Sequence, residues 1–115
     1  MIVATRKLVI TGSPPQTVEV RVNAPEPSGL AWKCAFEIVW PGTTDRSHVM
    51  GTDGIQALNL ALQSVTAHLY LSSYHKQQLL VWQEAGAGYG FPLHPKSRDL
   101  AIGDDRLMYS GALAG

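Results

Sequence analysis

DGIQALNLALQSVTAHLYLSSYHKQ, residues Asp53 to Gln77, is the stretch whose reading decides the fold. Asp53 and Gln56 match a capping box, in which the carboxylate accepts from a first-turn N–H and the glutamine reaches back to the cap. At about 100° per residue, Ile55, Leu58, Leu62, Val65 and Leu69 fall in one narrow sector, with Ala61 and Thr66 beside it. The spacing predicts a helix from Asp53 to about Gln77 that lays this stripe on a sheet, with Leu62 at its centre. Leu60, Ala67, Leu71 and Tyr74, with Tyr70 beside them, lie on the reverse side. No Asp, Glu, Lys or Arg interrupts the run from Gly54 to His75. A monomer seldom leaves such a face in water. Three outcomes are open: a C-terminal segment folds back over it, another protein covers it, or it is simply exposed.

The residues before the helix alternate as strands do. Residues 2 to 11 are rich in β-branched types, and Gly12 to Gln16 is a turn. From Thr17 to Asn23, Val18, Val20 and Val22 share one face, while Glu19, Arg21 and Asn23 share the other. After a proline-rich loop, Ala24 to Gly29, the clearest strand puts Trp32, Cys34, Phe36, Ile38 and Trp40 on one side. Pro41-Gly42 ends it. Arg46 to Met50 reads as a short fourth strand and Leu79 to Gln83 as a last one. Strands followed by one helix imply an α+β fold, an antiparallel β-meander of four to five strands with one long helix packed on one face. The expectation is one domain over residues 1–115, with a short helical turn at Ser97 to Leu100 and a flexible C-terminal tail from about residue 108.

Composition narrows the function classes. The chain has 115 residues, 45% apolar and 16% charged, with a formal net charge of +0. That suits a folded domain and provides no basic stripe for nucleic acid, so no nucleic-acid partner is expected. No run is long enough to span a membrane, and the N-terminus lacks the order of a signal peptide. The lone cysteine, Cys34, cannot form an internal disulfide, which fits a reducing, cytoplasmic setting.

Each candidate site has a plainer alternative. Gly86-x-Gly88-x-Gly90 follows a strand as phosphate loops do, but Phe91-Pro92 follows it where a dinucleotide fingerprint would open a helix. The plainer reading is a flexible turn, with Tyr89 and Phe91 tucked into the core. His48, His68, His75 and His94 lack metal-ligand spacing, so no metal is expected. Cys34 falls inside an apolar layer, where a thiol is a small hydrophobe rather than a nucleophile. Asp99, Asp104 and Asp105, interleaved with Lys96, Arg98 and Arg106, read as a solvated, salt-bridged turn. Trp32, Trp40 and Trp82 read as core.

The β-rich first half, the helix Gly54-Ile55-Gln56-Ala57-Leu58-Asn59-Leu60-Ala61-Leu62, the strand Leu80-Val81-Trp82 and Gly90-Phe91-Pro92 together resemble a family of small, uncharacterised bacterial domains of unknown function. The resemblance implies no catalytic residues and no cofactor. By fold-level analogy, such domains include immunity-type proteins that bind a toxin.

Two function classes follow. The first is a non-enzymatic interaction module, a homodimer or partner-binding protein, using Leu60, Ala67, Tyr70, Leu71 and Tyr74. The second is a ligand-binding domain or small enzyme with a pocket near the Gly86–Pro92 loop and His94. The first leads, because no set of catalytic groups converges in the sequence. A set of His, Asp and Arg groups meeting in one deep pocket would reverse that order.

Overall fold

The computed structural model describes residues 1–94 and 101–107. Six strands form one antiparallel sheet: β1 (Ile2–Ile10), β2 (Gln16–Asn23), β3 (Glu26–Ser28), β4 (Ala31–Trp40), β5 (Thr43–Gly51) and β6 (Leu80–Val81). β4 is central, with β2 on one edge and β5 on the other. β5 pairs with β4 from Trp32 to Trp40, so β3 shares the edge used by β2 and continues it past Ala24-Pro25. The meander then closes with β6 beside β1. The fold is α+β, as expected, with β3 and a longer β5 as additions.

The side-chain alternation holds. Cys34, Phe36, Ile38 and Trp40 are buried on one face, beside Val18, Val20 and Val22 of β2 and Leu8 and Ile10 of β1. The other face carries opposite charges on neighbouring strands, pairing Lys7 with Glu19, Arg21 with Glu37 and Glu37 with Arg46. Of these, Arg46 and Glu37 form an ion pair at 3.1 Å, while Arg21 pairs with Glu19 of its own strand at 2.6 Å. Such exposed pairs add little stability and mark a solvated surface. Gly42 turns β4 into β5 at φ 80°, a conformation that glycine adopts without strain.

The helix is two helices. α1 spans Gly54–Leu71 and α2 spans Ser73–Lys76. Asp53 caps α1 by accepting from the Gln56 N–H at 2.7 Å, and the Gln56 side chain accepts from the Thr52 N–H. Ser72 causes the break. Its hydroxyl donates to the Leu69 carbonyl at 2.7 Å and accepts from the His75 N–H at 3.2 Å, so it ends one helix and caps the next.

The sheet-facing line of α1 also differs from the expected stripe. Ala57, Ala61, Val65 and Leu69 are buried, Leu58 and Leu62 are half-buried, and Ile55 is 81% exposed. The reason is close approach at the end of β5. A Cβ on Gly51 would sit 2.5 Å from the Ala57 nitrogen. Only small residues fit that contact, so the alanine line faces the sheet and the leucines are turned to its flank. Ile55 overhangs the sheet near Pro25, Trp32 and Leu58.

α1 covers β4 and β5. Beside it, the segment from Gly88 to Leu93 covers the β1 side of the core, with Tyr89, Phe91 and Leu93 buried. The Thr66 hydroxyl ties this segment to α1 through the Pro92 carbonyl at 2.6 Å. A last helix, α3 (Gly103–Leu107), follows. The expected turn at Ser97 to Leu100 and the expected tail from about 108 lie outside the described residues. Among the described residues, no helix is long and apolar enough to cross a membrane.

Candidate functional site

The Ser72 break sets the site. It ends α1 with Tyr70 pointing inward, and it turns α2 so that His75 packs edge-on against the Tyr70 ring, 4.6 Å between centroids. Tyr74 goes the other way and stacks on Trp40 at 5.6 Å. Tyr89, from the glycine loop, completes the cluster. Its ring lies 5.3 Å from that of Tyr70, and its hydroxyl meets His75 Nδ1 in a short hydrogen bond.

Behind these rings is Asp105, only 1% exposed. Its Oδ2 accepts from the Tyr70 hydroxyl at 2.7 Å and from the Tyr89 N–H at 2.8 Å, and its Oδ1 accepts from the Gly90 N–H at 2.7 Å. The glycines make this possible. Gly88 has φ 92° and Gly90 has φ 76°, so the N–H groups of residues 89 and 90 converge on one carboxylate. Such concave N–H pairs bind anions. A Cβ on Gly88 would lie 2.5 Å from the Asp105 carboxyl carbon, so no side chain fits there. A Cβ on Gly90 would overlap Trp82 and lie 2.9 Å from the Arg6 guanidinium.

Arg6 closes the far side. Its guanidinium donates to the Tyr89 carbonyl at 3.0 Å and lies between the Trp82 ring, 3.9 Å away, and the Phe91 ring, 4.6 Å away. Burial lowers its pKa, and the nearby Asp105 opposes that shift. Burial also pushes the Tyr89 phenol up to about 12, helped by Asp105, and raises that of Tyr70. His75 moves the opposite way, its pKa lowered by burial. At neutral pH, Tyr89 is therefore a protonated donor and His75 a neutral imidazole. The Tyr89 hydroxyl has two neighbours, His75 Nδ1 and the Leu80 carbonyl at 3.5 Å, and the tautomer of His75 decides which of them takes its proton. A neutral imidazole that accepts at Nδ1 carries its own proton on Nε2, which has no partner among the described residues.

In front of the cluster opens a cavity of about 810 Å³, lined by Tyr70, Leu71, His75, Leu80, Tyr89 and Ile102 among others, with Lys76, Gln78, Ala85 and Gly86 also on its wall. A shallower groove of about 420 Å³ runs between the end of α1 and the β4–β5 turn, bounded by Trp40, Ala67, Leu71 and Tyr74.

The structure redistributes the expected site residues. Of the proposed interface, Tyr70 is buried beneath Tyr89 and Asp105, so the C-terminal segment covers that part of the face. Leu60 and Tyr74 are half-buried; Ala67 is exposed, and Leu71 is 66% exposed. Asp105 corrects the reading of a solvated acidic turn: it is a buried acceptor with three donors, while Asp104 is exposed. Asp99, Lys96 and Arg98 lie outside the described residues. The glycine run is not a loose turn but the cradle of that carboxylate, and Tyr89 and Phe91 are in the core as expected. Cys34 is fully buried; its thiol donates to the Asn23 carbonyl at 3.3 Å, and burial raises its pKa. His48 and His94 are exposed, and His68 bonds the Ser64 carbonyl at 2.8 Å. Among the described residues, no group of three or more His, Cys, Asp or Glu could hold a metal ion.

Residues 4–93 match the family model described as a domain of unknown function (DUF6968). The chain belongs to that family. Neither a curated protein nor a solved structure matches it. The matched stretch includes Arg6, Tyr70, His75, Tyr89 and Gly90, and ends before Asp105.

Proposed function

We propose that this DUF6968 chain is a ligand-binding domain whose small-molecule ligand occupies the cavity between α2, β6 and the glycine loop, in a bacterial cytoplasm where Cys34 stays a thiol. The cavity carries the reading. Its volume of about 810 Å³ falls in the range of ligand pockets. Its wall is mostly apolar or aromatic, and Nε2 of His75 has no partner among the described residues. Of the His, Asp and Arg groups around Tyr89, His75 alone lines the cavity, while Asp105 lies behind the rings and Arg6 on their far side, so the cavity and not a convergent catalytic set supports this reading. The ligand class is an apolar molecule with one hydrogen-bonding group. Both tyrosines keep their protons at neutral pH, so the cluster binds and orients rather than supplying a base.

The test uses 1-anilinonaphthalene-8-sulfonate, an amphiphilic aromatic probe. The wild type should bind it saturably with a stoichiometry of one. Ala85→Trp, which places an indole in the cavity from its exposed rim, should abolish binding and leave the melting temperature unchanged. Equal binding by both proteins would overturn the reading.

A second reading, a protein-interaction module or homodimer, is favoured by one observation: Leu71 and Ala67 remain exposed beside the groove against Trp40 and Tyr74. An immunity-type role is the version in which the partner is a toxin. Leu71→Glu should split such an assembly, seen by light scattering, without loss of circular dichroism. A wild type already monomeric at tens of micromolar would refute the homodimer.

A further inference from the structure

We propose that the Gly88–Gly90 loop, with the Tyr70 hydroxyl, is a carboxylate-binding site, and that in this chain α3 is its tethered occupant through Asp105. Among the described residues, three donors and no acceptor converge on that position, at 2.7, 2.8 and 2.7 Å. Two of them are successive backbone N–H groups aimed by the positive-φ glycines, so the cradle is a property of the loop and needs no side chain of its own. Arg6 adds positive charge from the far side and holds the loop through the Tyr89 carbonyl. All of these donors lie within residues 4–93, the stretch that the family model matches, and the carboxylate that fills them comes from residue 105, after that stretch. The donors are thus preassembled by α1 and the loop, and the carboxylate is brought to them by a separate element, α3.

The ligand class is a carboxylate. Asp105 competes by being tethered, since its effective concentration exceeds that of any free ion. Tyr70 and Tyr89 are shared with the cavity, and Ile102 of the α3 approach forms part of the cavity wall. Release of Asp105 by a competing carboxylate would therefore also open the cavity on the Ile102 side. The proposal rests on the loop and does not require the cavity ligand.

The experiment is chemical rescue in the full chain. Asp105→Ala keeps the Cβ and removes one carboxylate, and formate is the ion that replaces what was removed. Formate should raise the melting temperature of this variant above that in chloride of equal ionic strength. At about ten times its dissociation constant, the folded state should gain roughly elevenfold over the unfolded one, a shift of roughly 5 °C for a domain of this size. Acetate, one methyl larger, should rescue less. The wild type, and the destabilised variant Leu69→Ala, which retains Asp105, should show no difference between formate and chloride. If Asp105→Ala is unfolded in chloride, the same titration is read as refolding by circular dichroism. No formate-specific gain in either form of the assay overturns the proposal, as does an equal gain in Leu69→Ala. Probe binding is read on Ala85→Trp, which keeps Asp105, and rescue on Asp105→Ala, which keeps Ala85, so failed probe binding and failed rescue report on separate readings.

Discussion

Two alanine substitutions, two residues apart, separate a turn from a cradle. Gly86 and Gly88 both have positive φ, 76° and 92°. A Cβ on Gly86 meets nothing within 4 Å, whereas one on Gly88 falls 2.5 Å from the Asp105 carboxyl carbon and 2.7 and 2.8 Å from its oxygens. Both substitutions incur the left-handed conformational cost, about 1–2 kcal/mol, less a few tenths gained by restricting the unfolded chain. Only Gly88→Ala also expels the carboxylate. Hydrogen bonds to a charged group are each worth about 1.5–3 kcal/mol, and expulsion breaks at least one of the three. Gly88→Ala should therefore cost about 2–4 kcal/mol more than Gly86→Ala. Urea melts resolve this, because with a slope of about 1–3 kcal/mol per molar the midpoints separate by about 1 M or more. In an Asp105→Ala background the excess should vanish, since the clash partner is gone. Equal losses for the two glycine variants in the wild-type background would show that the carboxylate does not sit in the loop.

Three further outcomes are expected. Leu69→Ala should cost about 2–5 kcal/mol in a denaturant melt and Leu62→Ala less than half as much, because Leu69 is fully buried and Leu62 lies on the flank; equal losses would mean the helix is rotated toward its expected stripe. Cys34 should react with an aromatic disulfide reagent at neutral pH only as fast as the protein opens, and a rate equal to that of a free thiol would contradict its burial. His75 has a folded pKa below its ordinary 6.5, so the unfolded chain takes up its proton first and stability falls as pH drops through 6.5 toward the folded value; His75→Asn, which keeps an acceptor for Tyr89, should flatten that part of the stability–pH curve relative to the wild type.

The sheet was legible because its signal is local. Alternation from Trp32 to Trp40 and from Thr17 to Asn23 depends only on period two, and each strand's buried face followed from it. The helix was legible in its start, where Asp53 and Gln56 cap it, but not in its rotation or its break. Rotation was set by Gly51, a residue in another element whose missing Cβ lets Ala57 approach, and hydrophobicity alone ranked Ile55 and Leu62 above the alanines. The break does have a local signal in the sequence. Ser72-Ser73 are poor in a helix interior and good at a cap, and a serine there can serve both helices.

The site was nearly illegible for a different reason. Its residues come from β1, α1, α2, the glycine loop and α3, and Asp105 bonds partners as far back as Tyr70. In the sequence Asp105 has an acid before it and an arginine after it, which is how a solvated turn looks, and no periodicity marks it for burial. What marks it is the loop. Gly88 and Gly90, both at positive φ, flank the two successive N–H groups that reach one anion. The comparison with phosphate loops fails on the missing helix, and the flexible turn expected in its place is instead a pair of N–H groups on an anion, a carboxylate supplied by the chain itself. The same carboxylate explains why Tyr70 left the outer face: its hydroxyl is the third donor to that anion, and a residue that serves a buried carboxylate cannot also serve a surface. The apolar reverse face of α1 therefore divides at Tyr70, with its inner half covered by Tyr89 and Ile102 and its outer half, Ala67 and Leu71, left to solvent or to a partner.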